Sequence, residues 1–210
     1  DLPQLPIQYL DYSVWQRQFM ESSGLLDKQL DYWRHKLDGV PERLNLATDY
    51  PRPKTPNFEG ATEVFHIDAQ LTQQLNQLTE THGATLYMTL QAAFKALLYR
   101  YTGQEDICFG GSIANRQHEE TENLIGMFAN TLVYRDQVAG DESFVSLLAQ
   151  VKKTCLEAYE HQDTPFEKIV DLIQPDRTIG ISPLFQVMFV LHNIVMDLSD
   201  NDIQDFPLEL

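Results

Sequence analysis

The sequence has few of the features that mark a secreted, membrane-bound or disulfide-stabilised protein. Only two of its 210 residues are cysteines. Cys108 and Cys155 lie in separate apolar segments, so we expect two buried thiols in a reducing compartment. There is no run of about 18 apolar residues that could cross a bilayer, and residues 1–4 lack the basic and apolar regions of a signal peptide. The sequence therefore predicts a cytoplasmic protein with no role in a membrane.

Positive charge is scarce as well. Lys and Arg total 15 against 31 Asp and Glu, which gives a formal net charge of -16 at pH 7. An excess of negative charge repels phosphate backbones and anionic lipids, so we exclude nucleic acid and membrane surfaces as partners. The 43% of hydrophobic residues is typical of a globular chain with a substantial core.

Motifs for metal binding and covalent catalysis are also missing. The six histidines form no His-x-x-x-His or His-Glu-x-x-His pair, and His118 with Glu122 has no third ligand nearby in the sequence. Gly110-Gly111-Ser112 is not followed by a phosphate-binding pattern, and no Gly-x-Ser-x-Gly elbow is present. We therefore expect no metal site and no directly bound cofactor.

The chain does contain a long apolar stretch, from Pro183 to Asn193. Apolar side chains occupy both of its alternating faces: Phe185, Val187, Phe189 and Leu191 on one, Met188 and Val190 on the other. A run of this composition predicts a strand buried on both faces, in the middle of a sheet covered by helices.

Helical periodicity and capping residues predict the covers of this sheet. We expect helices over residues 7–22, 26–37, 69–81, 86–102, 144–160 and 165–173, and further strands over 61–68, 106–113 and 128–134. Asp68 and Thr85 are predicted N-caps, and Gly103 is a predicted helix end. Strands alternating with helices indicate an α/β sandwich with a mixed sheet. A connector with four prolines, residues 40–60, predicts an extended crossing between two structural units.

Two polar features are candidates for a site. The stretch His161 to Glu167 can be explained as a helix end followed by a capped helix, or as a turn that directs His161 and Asp163 into a cleft. The residues alone favour the structural explanation. Asn130 is an amide in an otherwise apolar strand, and it needs hydrogen-bond partners when buried. Either a ligand or the backbone could supply them.

Four stretches together resemble the condensation domains of non-ribosomal peptide synthetases. Residues 9–15 (YLDYSVW) resemble the family's Tyr-x-Asp-aromatic-Ala-Val-Trp motif, with Ser13 in place of alanine. Residues 125–131 (IGMFANT) resemble Ile-Gly-x-Phe-Val-Asn-Thr, with Arg135 following. Residues 161–167 (HQDTPFE) match His-Gln-Asp-x-Pro-Phe-Glu. Residues 177–184 (RTIGISPL) are a looser copy of Arg-Asp-x-Ser-Arg-Asn-Pro-Leu.

The resemblance implies a chloramphenicol-acetyltransferase-like fold of two lobes. Residues 1–60 would then be the end of the N-terminal lobe with its crossover, and residues 61–210 the C-terminal lobe. In such a domain, carrier proteins deliver acyl groups on phosphopantetheine arms into a tunnel, where an amide bond is formed. The resemblance implies Asn130 as a tunnel-lining residue, with His161 and Arg177 as weaker candidates. The implied partners are carrier protein domains, adjacent synthetase domains and the missing N-terminal lobe.

The chain departs from the family at one decisive point. The catalytic signature His-His-x-x-x-Asp-Gly precedes the Tyr-x-Asp motif in the family, and this sequence has no adjacent histidines. We therefore expect no catalytic residue in this chain and no peptide-bond formation by the chain alone. Two alternatives stay open: a non-catalytic lobe that binds carrier proteins, and an epimerisation or heterocyclisation relative. The sequence Phe-Ala-Asn-Thr at 128–131 argues against epimerisation, whereas nothing here decides on heterocyclisation.

Overall fold

The computed structural model describes residues 4–51, 59–173 and 182–192. These residues form six α-helices and a two-stranded sheet. In chain order the elements are α1 (Tyr9–Ser22), α2 (Leu25–Lys36), α3 (Ala69–Thr81), α4 (Leu86–Thr102), β1 (Asp106–Ile113), β2 (Asn130–Gln137), α5 (Phe144–Glu160) and α6 (Phe166–Ile173). A 3₁₀ turn, Glu119–Thr121, lies between the strands.

Local capping sets the ends of several helices where the sequence predicts them. The Asp68 carboxylate accepts a hydrogen bond from the Leu71 amide at 2.7 Å, and the Thr85 hydroxyl accepts one from Met88 at 3.2 Å. Gly103 ends α4 with a φ of 67°, a conformation that glycine adopts without strain. These predictions are confirmed because each depends on residues only a few positions apart.

The sheet is centred on β1. Antiparallel pairing joins β1 to β2 in a register that runs from Asp106 opposite Gln137 to Ile113 opposite Asn130. On the other side of β1, the Gly110 amide donates to the Val187 carbonyl at 3.0 Å, and the Phe189 amide donates to the Gly110 carbonyl at 2.9 Å. This contact is an isolated parallel bridge between Gly110 and Met188, beside the antiparallel pair of strands.

The prediction that Pro183 to Asn193 is a central strand buried on both faces is wrong. The described part of this stretch forms one bridge to β1, opposite Gly110, and lies at the edge of the described sheet. Phe185 is buried, whereas Met188 is 50% exposed and Leu191 39% exposed. Among the described residues no helix covers the second face, and an apolar alternation alone does not reveal whether such a cover is present.

The predicted strand over residues 61–68 is also wrong. This segment forms neither helix nor strand, and its side chains are exposed, including Val64 and Phe65 at 74% and 81%. Its β-branched and aromatic residues favour strand formation, but a strand also requires hydrogen bonds to a neighbouring strand. No such strand lies beside it in the part of the chain that the structure describes.

The core lies between the sheet and the helices α4 and α5. Its fully buried side chains come from both strands, from four helices and from the residue that follows α2: Trp33, Leu37, Ala92, Ile107, Phe109, Leu132, Val133, Tyr134, Val151, Cys155, Ala158 and Ile169. Cys108 and Cys155 are both buried free thiols. No helix among the described residues has the length and apolar character needed to cross a membrane.

One charged pair is enclosed in this core. Lys95 Nζ lies 2.7 Å from Asp136 Oδ2, and both side chains are at most 1% exposed. The same ammonium donates to the Tyr134 carbonyl at 3.0 Å and lies 4.3 Å from the centre of the Phe109 ring. The Thr154 hydroxyl donates to the other oxygen of Asp136 at 2.5 Å. Groups from β2, α4 and α5 thus surround the pair, and the charge of each partner is compensated by the other.

Replacing Gly110 by alanine is expected to destabilise the chain by about 1–3 kcal/mol. A Cβ atom at this position would lie 2.3 Å from Phe185 Cζ, in a buried contact where the ring has little room to move. Urea denaturation measures the free energy of unfolding. The control is Gly60→Ala, whose Cβ would meet nothing within 4 Å. Equal stability of the two variants would contradict the packing of Phe185 on β1.

The two thiols should make the fold sensitive to alkaline pH. Burial raises the pKa of Cys108 and that of Cys155 from 9.0 to about 12. Each thiol therefore contributes stability that is complete below pH 9 and is lost as the pH rises towards 12. We expect the free energy of unfolding to fall in this window by about 1.4 kcal/mol per pH unit for each thiol. Urea titrations from pH 8 to 11 measure the slope, and a Cys108→Ala/Cys155→Ala variant that keeps the whole slope would refute the assignment.

Candidate functional site

Residues 161–166, which run from the end of α5 to the first residue of α6 and are named the motif loop, are held from two sides. On one side lies α2. The Trp33 indole donates from Nε1 to the His161 carbonyl at 3.1 Å, and the Tyr32 ring stacks on the His161 imidazole with centroids 3.8 Å apart. Gln29, one turn earlier, donates to Asp163 Oδ2 at 2.9 Å and accepts hydrogen bonds from the Thr164 amide and hydroxyl.

On the other side, Asn130 at the start of β2 forms four hydrogen bonds, three of them with the motif loop. Its Nδ2 donates to the Gln162 carbonyl at 2.9 Å and to the Thr164 carbonyl at 2.8 Å. Its Oδ1 accepts from the Thr131 amide at 2.9 Å and from the Phe166 amide at 3.2 Å. The backbone thus uses both the donor and the acceptor groups of this amide.

The contribution of α2 to the motif loop is not predicted from the sequence. Gln29 and Trp33 are 2% and 0% exposed, so both belong to the packed face of the helix. Their spacing of four residues places them on one side of α2. A polar Gln among the apolar positions of that face is the available signal, but its partner lies 134 residues away.

Residues 9–15, the Tyr-x-Asp segment, pack against residues 125–131, the Ile-Gly segment. Tyr9 and Tyr12 of α1 contact the Phe128 ring at centroid distances of 5.1 and 4.8 Å, and the Tyr9 hydroxyl donates to the Met127 carbonyl at 2.8 Å. A Cβ at Gly126 would lie 2.2 Å from Tyr9 Cδ2, so glycine is needed for this approach. Phe128 therefore precedes the strand, which begins at Asn130 rather than at 128 as predicted.

Arg116 packs on the Phe128 ring as well. Its guanidinium lies 4.1 Å from the centre of the Phe128 ring, and it donates to the carbonyls of Thr121 and Leu124. The 3₁₀ turn and the Ile-Gly segment are thereby fixed to each other. Three of the four segments noted in the sequence, 9–15, 125–131 and 161–167, thus form one continuous cluster.

Two cavities border this cluster. The first, of about 420 Å³, is lined mainly by aromatic and apolar groups together with acidic residues: Ile7, Asp11, Tyr12, Trp15, His118, Glu120 and Thr121. The second, of about 550 Å³, lies between α1, α2 and the motif loop and has charged walls that include Arg17, Asp163 and Lys168. Tyr12 lines the first cavity, and its pKa is raised, mainly by burial and next by the negative charge of Asp163.

Of the three residues predicted to line a tunnel, the structure describes Asn130 and His161. Asn130 is partly buried beneath the motif loop, and His161 stacks on Tyr32 while its Nδ1 donates to the Glu157 carbonyl at 2.7 Å. Arg177 lies outside the described residues. The role of all three in a tunnel stays a prediction.

Arg135, which follows the Ile-Gly segment, joins β2 to the end of α2. Its guanidinium forms an ion pair with Asp106 at 2.7 Å and donates to the carbonyls of Lys36, Asp38 and Gly39. Carbonyls at a helix C-terminus need partners from outside the helix, and the guanidinium supplies them here. The hydrogen bond to Asp106 raises the pKa of Arg135.

Metal binding has no basis in the described residues. No group of three or more His, Cys, Asp or Glu side chains within residues 4–51, 59–173 and 182–192 could hold an ion. The chemistry available to the cluster is hydrogen bonding, aromatic contact and the charge of Asp163.

The fold is shared with solved domains of a polyketide synthase and of teicoplanin biosynthesis. The condensation domain of the Monacolin K polyketide synthase MokA superposes with a TM-score of 0.76 at 23% identity, over 90% of this chain and 46% of that one. The complex of the X-domain and OxyB from teicoplanin biosynthesis contains a domain that superposes with a TM-score of 0.81 at 29% identity, over 90% of this chain and 42% of that one. The predicted chloramphenicol-acetyltransferase-like α/β fold is thereby confirmed.

The family follows from the sequence match. The model of the Condensation domain family matches residues 1–208, and the chain belongs to this family. A linear gramicidin synthase protein from Brevibacillus parabrevis is 51% identical over 212 residues, which cover 100% of this chain and 4% of that protein. The chain therefore spans a small part of this relative and less than half of each of the two solved structures.

Proposed function

We propose that this chain is the C-terminal part of a condensation domain that joins aminoacyl or peptidyl thioesters by forming an amide bond. The observation that carries the proposal is the convergence of three separated family motifs in one cluster beside two cavities. The proposed limits are residues 1–60 for the end of the N-terminal lobe and 61–210 for the C-terminal lobe. The proposed site of action is a synthetase in the cytoplasm.

The proposed mechanism assigns this chain one wall of the reaction tunnel. Carrier proteins would present acyl groups on phosphopantetheine arms, and the wall would hold the arms in place so that amine and thioester meet in a reactive geometry. Asn130 would shape this wall through the motif loop, with His161 beside it and Arg177 as a further lining residue. Apolar side chains exposed on α1, among them Leu10, Val14, Trp15 and Phe19, would face the remainder of the N-terminal lobe.

The proton-transfer group of the reaction would come from the other lobe. No two histidines are adjacent in this sequence, so the family's histidine pair has no counterpart here. His161 is held by Tyr32 and by the Glu157 carbonyl, and these contacts serve the fold. We therefore expect the chain alone to form no peptide bond.

The test compares this chain with the parent synthetase that contains it. Two carrier proteins, each loaded with an aminoacyl group, are mixed with either protein, and dipeptidyl thioester is measured by mass spectrometry. Product is expected with the parent synthetase only. Product formed by the chain alone would overturn the division of labour between the lobes, and an inactive parent would overturn the proposed reaction.

A second candidate is a lobe that binds proteins and performs no chemistry. It is supported by the likeness to the X-domain, whose solved structure is a complex with OxyB. Isothermal titration of the parent domain with carrier protein distinguishes the candidates when combined with the assay above. Carrier binding without any dipeptide favours the second candidate, whereas binding with dipeptide formation favours condensation.

A further inference from the structure

The Asp163 carboxylate is held by two neutral amides from different parts of the chain. Gln29 Nε2 of α2 donates to its Oδ2 at 2.9 Å, and Gln117 Nε2 donates to its Oδ1 at 3.1 Å. A carboxylate offers about four lone-pair sites, so acceptor capacity is left over. Asp163 also lines the cavity of about 550 Å³ next to α1. The side chain therefore combines fixed geometry with an open acceptor.

The orientation of Gln29 is fixed by its other contacts. Its Oε1 accepts from the Thr164 amide at 3.0 Å and from the Thr164 hydroxyl at 2.9 Å, which leaves Nε2 to face Asp163. Gln29 is 2% exposed, so water has no ready access to replace these bonds. The Gln29 amide thus fixes the position of the backbone at Thr164 and the orientation of the Asp163 carboxylate.

The charge on Asp163 is not required by these contacts. An asparagine at 163 would accept from Gln29 through its carbonyl oxygen, and the exposed Gln117 would turn its amide so that its oxygen accepts from the asparagine Nδ2. The cost of partly desolvating an anion would then be absent. The negative charge acts beyond the loop, since it contributes to the raised pKa of Tyr12 on α1. A fixed anion with spare acceptor capacity at a cavity wall is suited to a ligand that carries N–H groups, either an amide or an ammonium.

We propose, on the basis of the condensation function above, that Gln29 is a positioning residue that holds Asp163 as an anion against N–H groups of the carrier-tethered acyl chain. Gln29 acts through Asp163 and does not touch the substrate. The hydrogen bond keeps the motif loop in place, and the charge contributes to orienting the acyl chain for condensation.

The test uses the parent synthetase with four variants at these two positions: Gln29→Leu, Gln29→Glu, Asp163→Asn and the exchange Gln29→Glu/Asp163→Asn. The exchange variant restores a hydrogen bond between the two side chains with the charge moved from the loop to α2. Two quantities are measured for each: deuterium uptake of the peptide that contains residues 161–167, and the kcat and KM of dipeptide formation. Gln74→Glu is the matched control, because Gln74 is an exposed glutamine on α3.

Deuterium uptake should report the position of the motif loop, and kcat/KM should report in addition the charge at residue 163. Gln29→Leu and Gln29→Glu are expected to raise deuterium uptake and to lower kcat/KM by about tenfold or more. Asp163→Asn should keep the uptake of the wild type while kcat/KM falls by a similar factor. The exchange variant should regain the protection but not the rate. The control should match the wild type in both quantities.

Three results would overturn the proposal. Full recovery of the rate in the exchange variant, or an unchanged rate in Asp163→Asn, would show that the anion at 163 is not used. Unchanged uptake in both single Gln29 variants would show that Gln29 does not position the loop. A wild-type parent that makes no dipeptide would instead refute the condensation function, and the exchange pattern would still decide whether Gln29 positions the loop.

Discussion

Replacing Asn130 by alanine is expected to lower the free energy of unfolding by about 3 kcal/mol. The substitution removes four hydrogen bonds at once and leaves two carbonyls and two amides of the motif loop and of β2 without that partner. The partly buried site gives water only limited access to them. Urea denaturation of the chain, followed by circular dichroism, measures the loss.

Asn130→Asp gives the sharper version of this test. A carboxylate oxygen in place of Nδ2 would lie about 2.9 Å from the carbonyl oxygens of Gln162 and Thr164, where it can only repel them. We expect this variant to be less stable than Asn130→Ala at pH 7. Asn123→Ala, at an exposed position, is the control and should change stability by less than about 0.5 kcal/mol. An Asn130→Asp variant as stable as the wild type would rule out the two donated bonds.

Lys95→Met is expected to cost about 3–5 kcal/mol, because it leaves the Asp136 carboxylate buried without its cation. The methionine has a similar volume and contacts Phe109 in place of the ammonium. The loss therefore reports on charge and not on a cavity. The same urea denaturation measures it, and Lys153→Met, whose side chain is 77% exposed, is the control.

The double variant Lys95→Met/Asp136→Leu separates the charge from the packing. With both charges gone, no uncompensated ion is left in the core, and stability should return to within about 1 kcal/mol of the wild type or exceed it. A double variant as unstable as Lys95→Met would mean that the loss arises from packing around the Thr154 hydroxyl and not from the lone carboxylate.

Sequence reasoning succeeds here where structure depends on near neighbours. The predicted N-caps Asp68 and Thr85 accept hydrogen bonds from amides three residues further along the chain. The limits of β1 follow from a run with little polar content between a Gly-ended helix and a polar loop. These elements could be predicted from the sequence because the relevant energies are local.

The site could be predicted only in part, since its partners are distant in the chain. Asn130 was identifiable as an amide that needs partners, but nothing in the sequence specifies the carbonyls of Gln162 and Thr164. Gln29 and Trp33 have the periodicity of a packed helix face, and their link to residues 161–164 depends on how α2 docks. Docking is set by tertiary packing, which local patterns do not encode.

The failures at 61–68 and 183–193 share a physical cause. Both segments have the composition of strands, yet strand formation requires hydrogen-bond partners on a neighbouring chain segment. Residues 187–189 find one such partner at Gly110, whereas residues 61–68 find none among the described residues. Composition therefore predicts a tendency to pair, and the surroundings determine whether pairing occurs.

The guanidinium of Arg135 has a mechanical consequence. It donates hydrogen bonds to the carbonyls of Lys36, Asp38 and Gly39, immediately before the proline-containing crossover begins. A pull transmitted along that crossover would reach β2 through Arg135 before it could unwind α2. α2 and β2 would then move together, and a hinge between them and the crossover would lie after Gly39.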